Sequence, residues 1–315
     1  MLTLKAYFVI LLTAGLTGAF NTMQKPTVIV SGKNGQLGKE LQYVANSYPQ
    51  FHFLFFARDE LNISNADAVD AVIKKYKPAY FINTAAYTGV DKAETDQSNA
   101  YQVNAESPGI IAKACKLYQT TLIHISTDYV FDGNGRIPYK EDTATNPVNY
   151  YGFTKLEGER LALINNNRTI IIRTSWVYSI YGNNFVKTML RLMNERKEVN
   201  VVNDQFGSPT FAKDLADSIL KIVTSCQSAS IGFRENYYGI YHFSNEGIIS
   251  WYEFAVAIRD LNQLNCSVHP VSTAQFSTIA KRPAFSVLSK EKIQTTFNIK
   301  IKDWKVGLQE CLDKL

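Results

Sequence analysis

Tyr151 and Lys155, in the run Tyr151-Gly152-Phe153-Thr154-Lys155, are the pair in this chain best suited to acid–base chemistry. In a helix, a spacing of four sets both side chains on one face. A free phenol is a poor acid or base at neutral pH because its pKa is ~10. A nearby ammonium stabilises the phenolate, each unit of depression corresponding to about 1.4 kcal/mol, and brings the phenol towards the range of general acid–base work. Upstream, Ser126-Thr127-Asp128 closes an apolar run. A hydroxyl there, Thr127, can hydrogen-bond a substrate carbonyl and align it with the tyrosine. Tyr150 lies four residues before Thr154 and has no cation at that spacing to activate it.

A second constellation binds rather than reacts. Val28-Ile29-Val30-Ser31 leads into Gly32-Lys33-Asn34-Gly35-Gln36-Leu37-Gly38 and then an amphipathic stretch. Strand, glycine-rich turn and helix in that order let the backbone approach a pyrophosphate, whose charge sits at the helix N-terminus. Gly32, Gly35, Gln36, Leu37 and Gly38 are the expected cradle of a dinucleotide. The following strand ends Phe55-Phe56-Ala57-Arg58. A guanidinium there suits the 2′-phosphate of NADPH, whereas an acidic residue taking the ribose hydroxyls favours NADH. Arg58 therefore points to NADPH; the alternative, with Arg58 in solvent and Asp59 on the ribose, keeps NADH open. The third apolar run ends Asn83-Thr84-Ala85-Ala86-Tyr87-Thr88, small residues where cofactor and substrate meet in sheets of this kind.

The elements that must position these residues follow from periodicity. Strands are expected at Thr27–Ser31, His52–Ala57, Tyr80–Asn83, Thr121–Ser126 and Thr169–Arg173, with helices near Gln36–Ser47, Asp67–Lys75, Asn104–Leu117 and Tyr151–Ile164 between them. Such alternation predicts an α/β fold, a Rossmann-like doubly wound parallel sheet. After Arg173 the alternation weakens, and helices are expected at Phe185–Glu195, Lys213–Ser225, Trp251–Leu261 and Trp304–Leu315. Residues 23–175 read as an NAD(P)-binding domain and 176–315 mainly as a smaller substrate-binding lobe, with some segments returning to the first domain.

Composition bounds the rest. The chain has 315 residues, 33 basic against 28 acidic, with the cations scattered. That gives no basic stripe for nucleic acid. Cys115, Cys226, Cys266 and Cys311 lie far apart, as expected of reduced core thiols rather than a disulfide framework or a zinc site. Residues 1–22 carry a signal-like uncharged run from Ala6 to Phe20, too short to span a bilayer. Either Met23 is the true start or the extension is a signal or anchor. With it set aside, no membrane partner and a cytoplasmic location are expected.

Together these residues resemble the extended short-chain dehydrogenase/reductases, and within them the dTDP-4-dehydrorhamnose reductase family, from about Thr27 to the C-terminus. The markers are the GxxGxxG turn from Gly32 to Gly38, Ala85-Ala-Tyr-Thr-Gly-Val-Asp-Lys-Ala-Glu94, Ser126-Thr-Asp-Tyr-Val-Phe-Asp-Gly133 and Asn146-Pro-Val-Asn-Tyr-Tyr-Gly-Phe-Thr-Lys155. Arg173-Thr-Ser-Trp-Val-Tyr178, Gly182-Asn-Asn-Phe185, Asn203-Asp-Gln-Phe-Gly-Ser-Pro-Thr210 and Lys281-Arg-Pro283 continue them. The resemblance implies reduction of dTDP-4-dehydro-L-rhamnose to dTDP-L-rhamnose with NADPH or NADH. It implies Tyr151 as proton donor, Lys155 lowering its pKa and binding the nicotinamide ribose, and Thr127 tuning the tyrosine. It further implies Thr127, Asp128, Val90 and Trp176 at the substrate, and Ala86, Tyr87 and Thr88 beside the glycine turn at the cofactor. Arg282 suits the substrate pyrophosphate, or is simply a surface cation. Some family members are described as bridging a dimer through magnesium and glutamates. Glu40 is present, but the position aligned after Thr210-Phe-Ala is Lys213, so no metal is expected, and the assembly is a monomer or homodimer. Two alternatives use the same fold: another nucleotide-sugar reductase or epimerase, and a non-catalytic regulatory relative of the methionine adenosyltransferase subunit type.

Overall fold

The computed structural model describes residues 25–230 and 234–315, so the expectations for residues 1–22 lie outside the described residues. In chain order the first half contains β1 (Thr27–Ser31), α1 (Gln36–Ala45), β2 (His52–Phe56), α2 (Ala66–Tyr76), β3 (Tyr80–Asn83), α3 (Val90–Ala93), α4 (Gln97–Tyr101), α5 (Ser107–Leu117), β4 (Thr121–Thr127), α6 (Tyr150–Asn165) and β5 (Thr169–Thr174). The second half contains β6 (Val177–Tyr178), α7 (Phe185–Glu195), β7 (Glu198–Val202), β8 (Phe206–Gly207), β9 (Thr210–Phe211), α8 (Ala212–Ser228), β10 (Gly239–Phe243), β11 (Ile249–Ser250), α9 (Trp251–Leu261), β12 (Ser267–Val271), α10 (Glu291–Phe297) and α11 (Trp304–Leu312).

Six strands form one parallel sheet in the order β10-β5-β4-β3-β1-β2. The chain moves outward from β1 to β2 and then crosses to β3, so β1 and β3 flank the switch point where a crevice opens at the carboxyl ends. Alternation along each strand feeds both faces. Val28, Val30, Tyr80, Ile82, Ile170 and Ile172 pack under α1 and α8, while Ile29, Phe81 and Ile171 pack under α2, α5 and α6. Every residue of β5 is buried, as a strand covered on both faces requires. Each fully buried isoleucine contributes roughly 1.5–3 kcal/mol.

β10 and α8 belong to the sheet and its cover although they come late in the chain. A separate core of Tyr178, Val186, Phe211, Phe254, Ile258, Trp304 and Leu308 holds the smaller lobe, with parallel β7–β12 and short pairings of β6 with β9 and β8 with β11.

One element differs from the periodic reading. The helix expected from Asn104 begins at Ser107, and Gln102–Glu106 form a π turn before it. π turns recur at functional sites, and this one carries Asn104 to the cleft.

Candidate active site

The glycine turn is built from backbone contacts. Gly32 has φ +83, and the N–H groups of Gly32 and Lys33 both donate to the Phe56 carbonyl, at 3.0 and 3.1 Å, fastening the end of β2 to the turn. Gly38 is where α1 crosses back: a Cβ there would lie 2.2 Å from the Gly32 carbonyl oxygen. Gly35 caps α1 with no side-chain hydrogen bond, and the first helical turn has no acidic residue. The N–H groups at that end are thus left for an anion. Gln36 Oε1 accepts from Asn184 Nδ2 at 2.9 Å, joining the turn to the smaller lobe.

At the end of β2, Arg58 and Asp59 are exposed, and Arg58 makes no ion pair among the described residues. The ordered acid is Glu60, which accepts from Ala57 N at 2.7 Å and pairs with Lys33 at 2.6 Å. Those bonds hold its carboxyl below the usual range. Lys33 is a second cation at this corner that pattern reading passed over.

The loop after β3 is held from below. Asn83 is buried; its Oδ1 accepts from Ser31 Oγ at 2.8 Å, and its amide meets His124 Nδ1 at 3.1 Å. Asn104 grips the main chain of Tyr87 on both sides, accepting from its N–H at 2.9 Å and donating to its carbonyl at 3.0 Å, and also donates to Thr154 at 3.1 Å. Asn104 therefore ties the Ala86–Thr88 loop to α6. Sequence reading missed it, since no short motif links positions 87, 104 and 154.

The reacting groups meet where β4 ends and α6 begins. Asn149 caps α6, accepting from Gly152 N at 2.8 Å, while its amide donates to Lys281 O at 2.8 Å. A Cβ on Gly152 would stand 2.2 Å from the Tyr129 carbonyl oxygen, so only glycine lets the helix approach so closely. Tyr151 is buried, packs with Val90, Ala93 and Tyr87, and meets Tyr129 edge to face at 5.6 Å. Burial pushes its phenol above the ordinary value; a hydrogen bond with Thr127 opposes the rise, and Asp128 and Tyr129 add to it. Here the structure departs from the expectation that Lys155 depresses this phenol. The Lys155 ammonium donates to the Ile125 carbonyl at 2.6 Å, and its own pKa is pulled down to about 8 by burial. Thr127 Oγ1 donates to Asp128 at 3.0 Å, and burial raises the Asp128 carboxyl to about 6.

Trp176 adopts left-handed backbone at φ +49 and stacks on Trp251 at 3.5 Å with planes 10° apart. A non-glycine residue held there is strained in the manner common at ligand clamps. Its ring edge lies so close to Gly207 that a Cβ would come within 2.6 Å. Arg282 has a partner already: it pairs with Asp91 at 2.7 Å, and Asp91 also accepts from Ala280 N at 2.9 Å. Arg282 and Asp91 thus clasp the 280–282 segment onto α3, next to Val90. Glu40 is buried and accepts from Ser179 Oγ at 2.7 Å, while Lys213 pairs with Asp217 at 3.2 Å.

Comparison with known proteins decides the family. The description RmlD substrate binding domain matches residues 26–315. The chain is 42% identical over 289 residues to the dTDP-4-dehydrorhamnose reductase of Aggregatibacter actinomycetemcomitans, covering 90% of this chain and 97% of that protein. The chain belongs to the dTDP-4-dehydrorhamnose reductase family. The reductase of Escherichia coli K12 is 38% identical over 303 residues, covering 91% of this chain and 97% of the relative. The crystal structure of the Bacillus anthracis reductase in complex with NADP superposes with a TM-score of 0.87 at 39% identity, covering 93% of this chain and all of that one. The reductase family thus shares the six-stranded parallel sheet and its flanking helices with this chain. Among the described residues no helix is long and apolar enough to cross a membrane.

Proposed function

We propose that this chain reduces the 4-keto group of dTDP-4-dehydro-L-rhamnose to give dTDP-L-rhamnose. It is an NAD(P)H-dependent oxidoreductase with NADPH as the preferred cofactor. The observation that carries the reading is Tyr151, bonded to Thr127 and in line with Lys155 on α6, beside a glycine turn at the sheet's switch point. The sequence relatives named dTDP-4-dehydrorhamnose reductases supply the substrate.

The turn fits a dinucleotide, since Gly35 caps α1 with no side-chain hydrogen bond and the first turn carries no acid, which leaves its N–H groups for an anionic pyrophosphate. Gly32, Gly35, Gln36, Leu37 and Gly38 would hold the pyrophosphate, Arg58 the 2′-phosphate, and Ala86, Tyr87, Thr88, Tyr151 and Lys155 the nicotinamide half. The reduced nicotinamide supplies a hydride to the carbonyl carbon. Tyr151 gives its proton to the carbonyl oxygen as that oxygen becomes an alkoxide. The phenol is protonated at neutral pH and can donate, and because burial raises it, Lys155 and Thr127 are needed to stabilise the phenolate as the proton leaves. Thr127 orients both the phenol and the carbonyl. Lys155 carries the positive charge that favours the phenolate left behind, at a cost in burial that its pKa records. Val90, Asp128 and Trp176 line the sugar side.

Residues 23–175 serve the cofactor and 176–315 mainly the substrate. The enzyme works in the cytoplasm as a monomer or homodimer, in keeping with four buried, unpaired cysteines. Purified protein given the keto sugar nucleotide and NADPH should oxidise one NADPH per ketone consumed. NADPH left unconsumed in the presence of that substrate would overturn the assignment.

A further inference from the structure

One helical turn beyond Lys155 stands Glu159, so Tyr151, Lys155 and Glu159 follow one another at a spacing of four along α6. Glu159 is 2% exposed. Arg173 on β5 grips its carboxylate in a fork, Nε donating to Oε1 at 2.9 Å and Nη2 to Oε2 at 2.7 Å. Ser126 Oγ, on the residue before Thr127 in β4, donates to the same carboxylate. Arg173 lies over the Phe131 ring at 5.1 Å, which fixes the guanidinium in turn. The Lys155 ammonium donates to the carbonyl of Ile125, the residue preceding Ser126. One buried ion pair thus joins α6, β4 and β5 directly behind the reacting groups, and the reaction derived above does not use it. A buried ion pair gains little stability over apolar residues of the same volume, so its place next to the catalytic lysine calls for another explanation.

We propose that Glu159, anchored by Arg173 and Ser126, is a positioning residue that keeps the Lys155 ammonium charged and seated on the Tyr151 side of α6. The proposal rests on the reading of Tyr151 and Lys155 as the catalytic pair. Burial works against the ammonium, and Glu159 opposes that pull. The other titratable groups around the pair are Tyr151 on α6, with Asp128 acting on it, His124 on β4 and Arg173 on β5. His242 and Glu141 lie beyond Arg173. Burial holds both histidines in their neutral form, so Glu159 is the anion that acts on Lys155.

The test is the pH profile of kcat/KM in the wild type, in Glu159→Gln and in the double variant Glu159→Leu/Arg173→Met, which replaces the pair by apolar residues. If activity requires charged Lys155, its alkaline limb should move to lower pH by about one unit in Glu159→Gln, a tenfold change in proton affinity, and by less in the double variant, which removes the Arg173 cation along with the anion. NADPH affinity on the acid side of the limb should stay near that of the wild type. A Glu159→Gln variant that binds NADPH yet keeps the wild-type limb would overturn the proposal, as would an unmoved limb in the double variant should Glu159→Gln fail to fold. So would failure of both variants to fold, which would assign the pair to stability alone. Wild-type turnover in Tyr151→Phe would strike the underlying catalytic reading instead, and the two failures are therefore separable.

Discussion

Replacing Gly38 by alanine should weaken NADPH binding measurably while lowering the stability of the fold only modestly. The new methyl group would meet the Gly32 carbonyl oxygen at 2.2 Å, Lys33 Cα at 2.8 Å and the Gly32 carbonyl carbon at 2.9 Å. All three are backbone atoms, so no side chain can rotate away. The turn cannot swing out either, because the N–H groups of Gly32 and Lys33 are held by the Phe56 carbonyl and Gly35 N is bonded to Gly32 O at 3.0 Å. Relief must come from a shift of α1 against the turn, the two parts that together shape the phosphate cradle. Overpacking of this kind costs about 1–3 kcal/mol, and alanine in a helix returns about 1 kcal/mol relative to glycine. Net stability should therefore fall by no more than about 2 kcal/mol. If the displaced cradle bears the full strain, the NADPH dissociation constant should rise roughly 5- to 150-fold. Fluorescence titration with NADPH, paired with thermal melting of the cofactor-free protein, reads both. Unchanged affinity together with a large loss of melting temperature would refute the reasoning, since the strain would then have been absorbed away from the turn.

Tyr151→Phe should abolish turnover while leaving NADPH affinity within a few-fold, whereas Tyr150→Phe, lacking a role in proton transfer, should stay near the wild-type rate; steady-state kinetics with cofactor titration separates them, and reversed effects would refute the assignment. Arg58→Ala should lose the preference for NADPH over NADH by about 10- to 150-fold, from the ~1.5–3 kcal/mol of a charge-assisted hydrogen bond; an unchanged ratio of kcat/KM values would count against it. Asp128 has a native pKa raised to about 6, so the folded state holds its proton more tightly than the unfolded state does. Stability from this group therefore falls as pH rises from about 4 to about 6 and stays lower above. Asp128→Asn should raise the melting temperature above that range, by about 1–3 kcal/mol in stability, and leave it unchanged below; a lowered melting temperature at neutral pH would contradict this.

The site was legible where its chemistry is local in sequence. The glycine turn and the Tyr151–Lys155 pair are short-range patterns whose spacing states their geometry, and the strands and helices around them fall within a few residues of their expected bounds. What pattern reading lacked is burial and long-range contact. Lys155 at a spacing of four from Tyr151 suggests a lowered phenol, yet burial raises it, and the ammonium is bonded to the Ile125 carbonyl. The ion pair of Arg282 is not readable from its sequence neighbours, because its partner Asp91 lies 191 residues away in the chain. Asn104 was read as a helix start, because the π turn that frees it to hold Tyr87 leaves no mark in hydrophobic periodicity. The left-handed Trp176 is equally silent, since nothing in its type announces a positive φ. The placement of β10 at the sheet edge beside β5 depends on pairing across the whole second half of the chain.

The central claim is that hydride passes from the nicotinamide to the ketone carbon while Tyr151 supplies the proton. It is tested most directly by running the reaction with NADPH carrying deuterium at the transferred position. The dTDP sugar formed should be isolated and examined by NMR and mass spectrometry. The account predicts one deuterium at C4 of dTDP-L-rhamnose per NADPH consumed, and no labelled sugar from Tyr151→Phe. Deuterium lost to water, label at another carbon, or unchanged labelling in Tyr151→Phe would contradict it.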